Sequence, residues 1–184
     1  MKKVYIIHGW GGNPKEGWFP WLKKELESKN YKVFIPEMPN TEEPEIKEWV
    51  SYLKKLVKPD NETYFVGHSI GCQTIMRYLE SLPEKIKVGK CIFVAGWFNL
   101  NSLSEEEIET AKPWLETPID YKKVLSHTNK ITAIFSDNDD YVPLTDSEIF
   151  KNKLKTKIII EQGKGHFSGE DGIKKLEIVL NEFK

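Results

Sequence analysis

Apolar residues arrive along this chain in short, nearly unbroken runs: VYIIH (4–8), KVFIPE (32–37), TYFVGH (63–68), KCIFVAG (90–96), KITAIFS (130–136) and KIIIEQG (157–163). A strand with one face in water alternates apolar and polar residues, so runs this continuous predict strands covered on both faces. The segments between them change period. Trp18, Trp21, Leu22 and Leu26 recur at helical spacing, as do Ile46, Trp49, Val50, Leu53, Leu56 and Val57. Ile75, Met76, Leu79 and Leu82 repeat the pattern, and Ile173, Leu176, Leu180 and Phe183 predict a closing helix. Each stripe is one apolar helix face and reads as core. Strand–helix alternation predicts βαβ units, hence an α/β fold in which a parallel sheet of about six strands lies between two helical layers. One interval breaks the rhythm. From Trp97 to about His127, about thirty residues follow the fourth run without a strand of their own, and excursions that long are more often functional than idle. A small cap or lid over 97–127 is expected, carried by a single domain spanning 1–184.

Composition adds constraints without changing that picture. A chain of 184 residues can bury a core without staples, and 39% hydrophobic with 30% charged residues is ordinary for a globular domain. The 27 basic and 28 acidic side chains nearly cancel and form no long block of one sign. That argues against a nucleic acid or an anionic membrane held by bulk charge. Cys72 and Cys91 both lie in apolar runs and read as small core residues, not as a disulfide framework. The opening MKKVYIIHGW has too short an apolar stretch for a signal peptide and no small-residue cleavage site after it. No stretch approaches the roughly 18 apolar residues of a membrane span, so a cytoplasmic location is expected.

In a parallel sheet, ligands bind beyond the carboxyl ends of the strands. Four of those ends carry unusual residues: HGWGG (8–12), GHSIG (67–71), SDNDDYVP (136–143) and GKGHF (163–167). Topology therefore brings a serine, an acidic cluster and a histidine to one rim, in the chain order Ser, Asp, His of α/β-hydrolases. The pattern G-x-S-x-G alone is short and often matched by chance. Its weight comes from context, a strand before Ser69 and an amphipathic helix after it. Gly67 and Gly71 then have a mechanical reason, because the sharp turn leaves no room for a Cβ. His166, between the sixth strand and the last helix, reads as the general base. HGWGG fits an oxyanion loop in which the backbone N–H of Trp10 joins that of Ile70. His8 and His68 read as structural, and His127 has no evident partner. Alternation along an extended segment puts Asp137 and Asp139 on one side and Asp140 on the other, which leaves the histidine's carboxylate open between two residues.

Other chemistries fit less well. A calcium loop would need glycine at its sixth position, where this chain has Val142. Four singly scattered histidines make no zinc site, and Gly9, Gly11 and Gly12 miss the dinucleotide-binding register. No metal or cofactor is expected. Trp97, Phe98, Trp114 and Leu115 in the excursion, with Trp10, Tyr141 and Phe167 near the rim, either fasten the cap or wall an apolar pocket. The pocket candidates are Trp97, Phe98, Trp114, Tyr141 and Phe167. Such walls favour a small acyl ester, or an amide with an apolar side, over sugars or phosphates.

These stretches carry a resemblance. GWFPWLKKELE (17–27), PEMPN (36–40), GHSIGCQTIMRYLE (67–80), DDYVP (139–143) and GHF (165–167) together resemble the small serine hydrolase family that includes retinoblastoma-binding protein 9 and the YdeN-like esterases. The likeness runs from the first strand to the last helix. It implies a compact α/β-hydrolase fold without the two leading antiparallel strands, with strand order 2-1-3-4-5-6 and a triad at Ser69, Asp139 and His166. The family's acid commonly stands three residues before a Val-Pro pair, and Val142–Pro143 selects Asp139. The family's members are mostly serine hydrolases of undefined substrate, some active on simple carboxylic esters or amides. The resemblance therefore implies a serine hydrolase, and a carboxylesterase working through an acyl-enzyme is expected. An amidase or aminopeptidase on the same triad is the alternative, as is a non-catalytic protein-binding module on a hydrolase fold. The LxCxE segment of the family's best-known member is absent, the corresponding region reading LVKPDNE (56–62), so retinoblastoma protein binding is not expected.

Overall fold

Every one of the apolar runs becomes a strand of the same sheet. The structure, a computed structural model, describes residues 1–184. Its strands are β1 (Lys3–Ile7), β2 (Lys32–Phe34), β3 (Thr63–His68), β4 (Lys90–Val94), β5 (Ile131–Ser136) and β6 (Lys157–Glu161). All pairings are parallel, in the order β2-β1-β3-β4-β5-β6. The central strands β3, β4 and β5 are almost wholly buried, as unbroken apolar runs require. The edges depart from that expectation. β6 has a neighbour on one side only and leaves Ile160 half exposed, while β2 shrinks to three residues ahead of Pro36, which has no N–H to offer a ladder.

The helices are α1 (Phe19–Glu27), α2 (Ile46–Leu56), α3 (Ile70–Glu80), α4 (Glu105–Glu116), α5 (Tyr121–His127), α6 (Asp146–Leu154) and α7 (Glu177–Asn181). α1 packs with α7, whereas α2, α3, α5 and α6 form a continuous row, so the sheet lies between two helical layers. The closing helix is shorter than its apolar spacing predicts. The Asp171 carboxylate accepts from the Ser168 N–H (2.9 Å) and hydroxyl (2.7 Å), and Gly172 N–H donates to Gly169 O, which commits this stretch to a turn. Leu176 is buried in an extended conformation (φ −139°), and helix begins only at Glu177.

The excursion after β4 holds two helices, α4 and α5. Ser104 and Glu107 form a reciprocal capping box that starts α4. Parallel register sets the strand ends side by side: Ile7 opposite Gly67, His68 opposite Val94, Ser136 opposite Glu161. The loops that leave those ends therefore share one rim.

Candidate active site

Ser69 stands where β3 turns into α3, with φ 53° and ψ −124°, a backbone conformation L-residues rarely adopt. The neighbouring glycines explain how the chain can do this. A Cβ at Gly67 would lie 2.8 Å from the Cys72 backbone. One at Gly71 would strike the Ile7 carbonyl oxygen and come within 2.8 Å of the His8 oxygen. Strand, turn and helix are in direct backbone contact, and Ser69 N–H is anchored on Val94 O at 2.9 Å.

The β5 and β6 ends are zipped together by successive side chains. Ser136 Oγ accepts from Lys164 N–H (3.0 Å) and donates to Asn138 Oδ1 (2.8 Å). Asp137 Oδ1 accepts from Gly163 N–H (2.8 Å), and Asn138 Oδ1 accepts from Gly165 N–H (2.9 Å). The next side chain, Asp139, accepts from His166 Nδ1 at 2.9 Å through Oδ2. Its other oxygen accepts from the Tyr141 and Val142 amides at 2.9 and 3.0 Å. Asp139 is thus fixed at both oxygens, with its side chain 2% exposed. The three residues ahead of it form the scaffold that presents it: Asp137, the other candidate acid, holds the Gly163 amide, and Ser136 and Asn138, which sequence reasoning left without roles, hold Lys164 and Gly165. Their signal was a run of short acceptor side chains at a strand end, facing a glycine-rich loop.

His68, read as structural, occupies the centre of the site. It is buried, its ring centroid is 5.1 Å from that of His166, and Trp18 and Phe19 approach it edge-on. Its Nε2 lies 2.8 Å from the His166 carbonyl, which can only accept, so Nε2 carries the proton. Burial, and then the like-charged His166, lower its pKa to about 3. His68 is therefore a neutral brace under His166. His8 is a second brace: Met38 N–H donates to its Nε2 (3.2 Å) while Nδ1 donates to Gly9 O (2.9 Å), tying the first loop to PEMPN. His127 does find a partner, the Ile86 carbonyl at 2.8 Å, and holds the end of α5.

Ser69 Oγ accepts from Trp97 Nε1 at 3.3 Å and makes no hydrogen bond to His166, whose Nε2 stays free. Gly11, Gly12 and Cys72 amides find carbonyl partners, while those of Trp10 and Ile70 have none. The five pocket candidates separate. Trp97 touches Ser69, and Tyr141, 43% exposed, approaches the His166 ring edge-on at 5.4 Å. Phe167 is fully buried, and its carbonyl accepts from Trp18 Nε1. Trp114 is also buried, packs on Trp49 and donates to Pro44 O (2.8 Å), so it fastens the cap. Phe98 packs on Phe150 and Tyr121 and lines a cavity of about 110 Å³ beside α3.

Two polar residues that sequence reasoning passed over organise the cap. Asp146 at the start of α6 is fully buried and accepts from the Phe98 N–H (2.5 Å), the Asn99 N–H (2.9 Å) and the Asn99 side-chain amide (2.7 Å). Arg77 on α3 donates to the Trp114 and Thr117 carbonyls at 3.0 and 2.8 Å. A charge inside a predicted helix stripe was the available signal for Arg77. Nothing comparable marked Asp146.

Known proteins share this architecture. The hydrolase YdeN of Bacillus subtilis is 31% identical over 181 residues, covering 98% of this chain and 93% of the relative. The crystal structure of the B. subtilis ydeN product covers 100% of this chain and 97% of its own, with a TM-score of 0.89. Serine hydrolase RBBP9 of Rattus norvegicus is 24% identical over 180 residues, 96% of this chain and 93% of its own. Esterase PE8, at 18% identity, TM-score 0.63 and coverage of 100% and 93%, shares the fold. The family model for serine hydrolases matches residues 4–184, and the chain belongs to that family.

Proposed function

We propose that this hydrolase uses Ser69 as nucleophile, His166 as general base and Asp139 as the carboxylate that orients it, and that its substrates are small, apolar acyl esters. The observation that carries the reading is Ser69 itself. A serine held at positive φ costs about 1–3 kcal/mol, and such strain clusters where a side chain reacts. The hydrogen bond from His166 Nδ1 to Asp139 leaves Nε2 as the nitrogen able to take a proton. In the cycle, Ser69 Oγ attacks the acyl carbon as His166 Nε2 removes its proton. The resulting oxyanion takes the unpaired amides of Trp10 and Ile70, each such donor being worth roughly 3–4 kcal/mol in comparable sites. The imidazolium then protonates the leaving alcohol, and water delivered through the same histidine releases the acid from Ser69.

The apolar-ester preference draws on the aromatic surroundings, Trp97 at Ser69 and Tyr141 at His166, and on the shared fold of esterase PE8. A fluorophosphonate probe tests the core of the reading. It should label the folded protein at Ser69, and Ser69→Ala should remove both labelling and p-nitrophenyl butyrate turnover. Labelling that survives the substitution overturns the assignment. A matched panel of butyryl esters and amides tests the substrate class, which falls if the amides turn over faster.

A further inference from the structure

The cap covers a second charged feature that the reaction does not use. Arg77 is 3% exposed, and no carboxylate lies within ion-pair distance of it. Its Nε and Nη2 are spent on neutral acceptors: Gln73 Oε1 (3.3 and 3.0 Å), Trp114 O and Thr117 O. Glu80, on the same helix, gives its carboxylate to the Asp120 N–H at 2.7 Å. Burying a guanidinium without an anion is costly, because carbonyl dipoles replace only part of the lost hydration. Nη1 has no protein acceptor and is not sealed off.

Arg77 lines the cavity of about 110 Å³ together with Gln73, Phe98, Leu115, Ile119 and Tyr121. The Tyr121 hydroxyl also makes no hydrogen bond, so two residues with donors lacking a protein acceptor line a cavity whose remaining walls mix the polar Gln73 and Thr117 with apolar side chains. Cavities of about 150 Å³ accept a benzene ring, and this one suits a carboxylate with a short hydrocarbon tail. We propose that this cavity is a binding site for small aliphatic monocarboxylates, the carboxylate meeting Arg77 Nη1 and Tyr121 and the tail lying on Phe98, Leu115 and Ile119. Ser69 is not among the residues that line it. The site does not rest on the proposed triad.

Sodium butyrate, with butyramide as the uncharged isostere and sodium chloride as the ionic-strength control, tests this by calorimetry and by NMR of the arginine Nε–H and indole N–H signals. Butyrate should bind saturably in the millimolar range expected of so small a ligand and shift the Arg77 and Trp114 signals. Butyramide and chloride should do neither. Tyr121→Phe should weaken butyrate about fivefold, the worth of one hydrogen bond, and Leu115→Trp should block it by filling the cavity. Arg77 is left in place because its carbonyl bonds hold the cap. Equal binding of butyrate and butyramide, shifts centred on Trp10 with Arg77 and Trp114 unmoved, or full affinity in Leu115→Trp each overturn the proposal. Binding rather than turnover is read, so these outcomes leave the triad assignment untouched.

Discussion

Asp139→Asn separates the chemistry of the site from its architecture. Asparagine keeps one oxygen, which can still accept from the Tyr141 and Val142 amides, so the loop should stay in place. Its nitrogen then replaces the oxygen that faces His166 Nδ1. Two donors cannot meet there. The imidazole must give up the Nδ1 proton and carry it on Nε2, the nitrogen that has to accept the Ser69 proton. Exchanging a charge-assisted hydrogen bond for a neutral one costs about 1 kcal/mol of stability, or about 3 °C in melting temperature for a chain of this length. The same exchange should lower kcat roughly 10⁴-fold, about 5.4 kcal/mol of barrier.

Initial rates on p-nitrophenyl butyrate, with melting scans of the same samples, read both quantities. Asp137→Asn and Asp140→Asn are the controls. Asp137 accepts only a loop amide, which an asparagine oxygen can also do, and the Asp140 side chain is exposed without a hydrogen bond. Both variants should stay within about tenfold of wild type. If Asp139→Asn keeps more than a tenth of the activity, or if either control is the crippled enzyme, the tautomer reasoning fails.

Three further perturbations follow. Ser69→Gly should melt about 1 kcal/mol, or about 3 °C, above Ser69→Ala, because only glycine relieves the positive φ; equal melting would mean no strain is stored. Trp114→Ala should cost about 3–5 kcal/mol of stability while the folded fraction keeps its kcat/KM for small esters, whereas a KM effect on bulky esters without destabilisation would return Trp114 to the substrate pocket. His68 has a folded pKa depressed from 6.5 to about 3, so the unfolded chain binds its proton first. Its stability contribution is whole above pH 6.5 and drains as pH falls toward 3, by at most about 1.4 kcal/mol per pH unit. Glu182 joins only below pH 4.5: burial raises its pKa, but hydrogen bonds from Lys157, Lys90 and Thr132 outweigh that and hold it at about 2. His68→Gln should therefore flatten the urea-unfolding profile between pH 5 and 6.5, and an unchanged slope there would contradict the assignment.

The parts of the fold legible in the sequence were those fixed by period. Unbroken apolar runs predict two-sided strands, and the central strands β3, β4 and β5 are buried but for Tyr64 and Lys90. The failures are local. The β2 and β6 runs read like central strands but lie at the edges, because an apolar run does not announce how many neighbours it will have. Gly172 and Asp171 turned the first part of the closing stripe away from helix, although the stripe itself was well spaced. At the rim, the motifs marked strand ends that the parallel register sets side by side, since topology alone determines which loops meet. What could not be read was the division of labour among neighbours. Four consecutive side chains, Ser136 to Asp139, make similar hydrogen bonds to one loop, and only the last reaches an imidazole. Arg77 and Asp146 were invisible for a related reason: their partners are backbone carbonyls and amides, which every sequence contains.

Backbone strain gives one more measure of the rim. Ser69, Ala95 and Phe167 are non-glycine residues at positive φ (53°, 47° and 56°), and they follow β3, β4 and His166 directly. Each is locked by a main-chain hydrogen bond: Ser69 to Val94 O, Ala95 to Ile134 O and Phe167 to Lys164 O. Glycine would remove the strain at all three, so each side chain needs a reason to be there. For Phe167 the reason is packing, since a fully buried ring contributes about 1.5–3 kcal/mol and offsets the cost of its backbone. For Ala95 a buried methyl returns less, about 0.8 kcal/mol, which covers part of it. For Ser69 there is almost no such return. Its hydroxyl is polar, and its one hydrogen bond, from Trp97, is long at 3.3 Å. Strain that packing does not offset is what the proposed nucleophile role predicts, and among these three positions only the serine carries it.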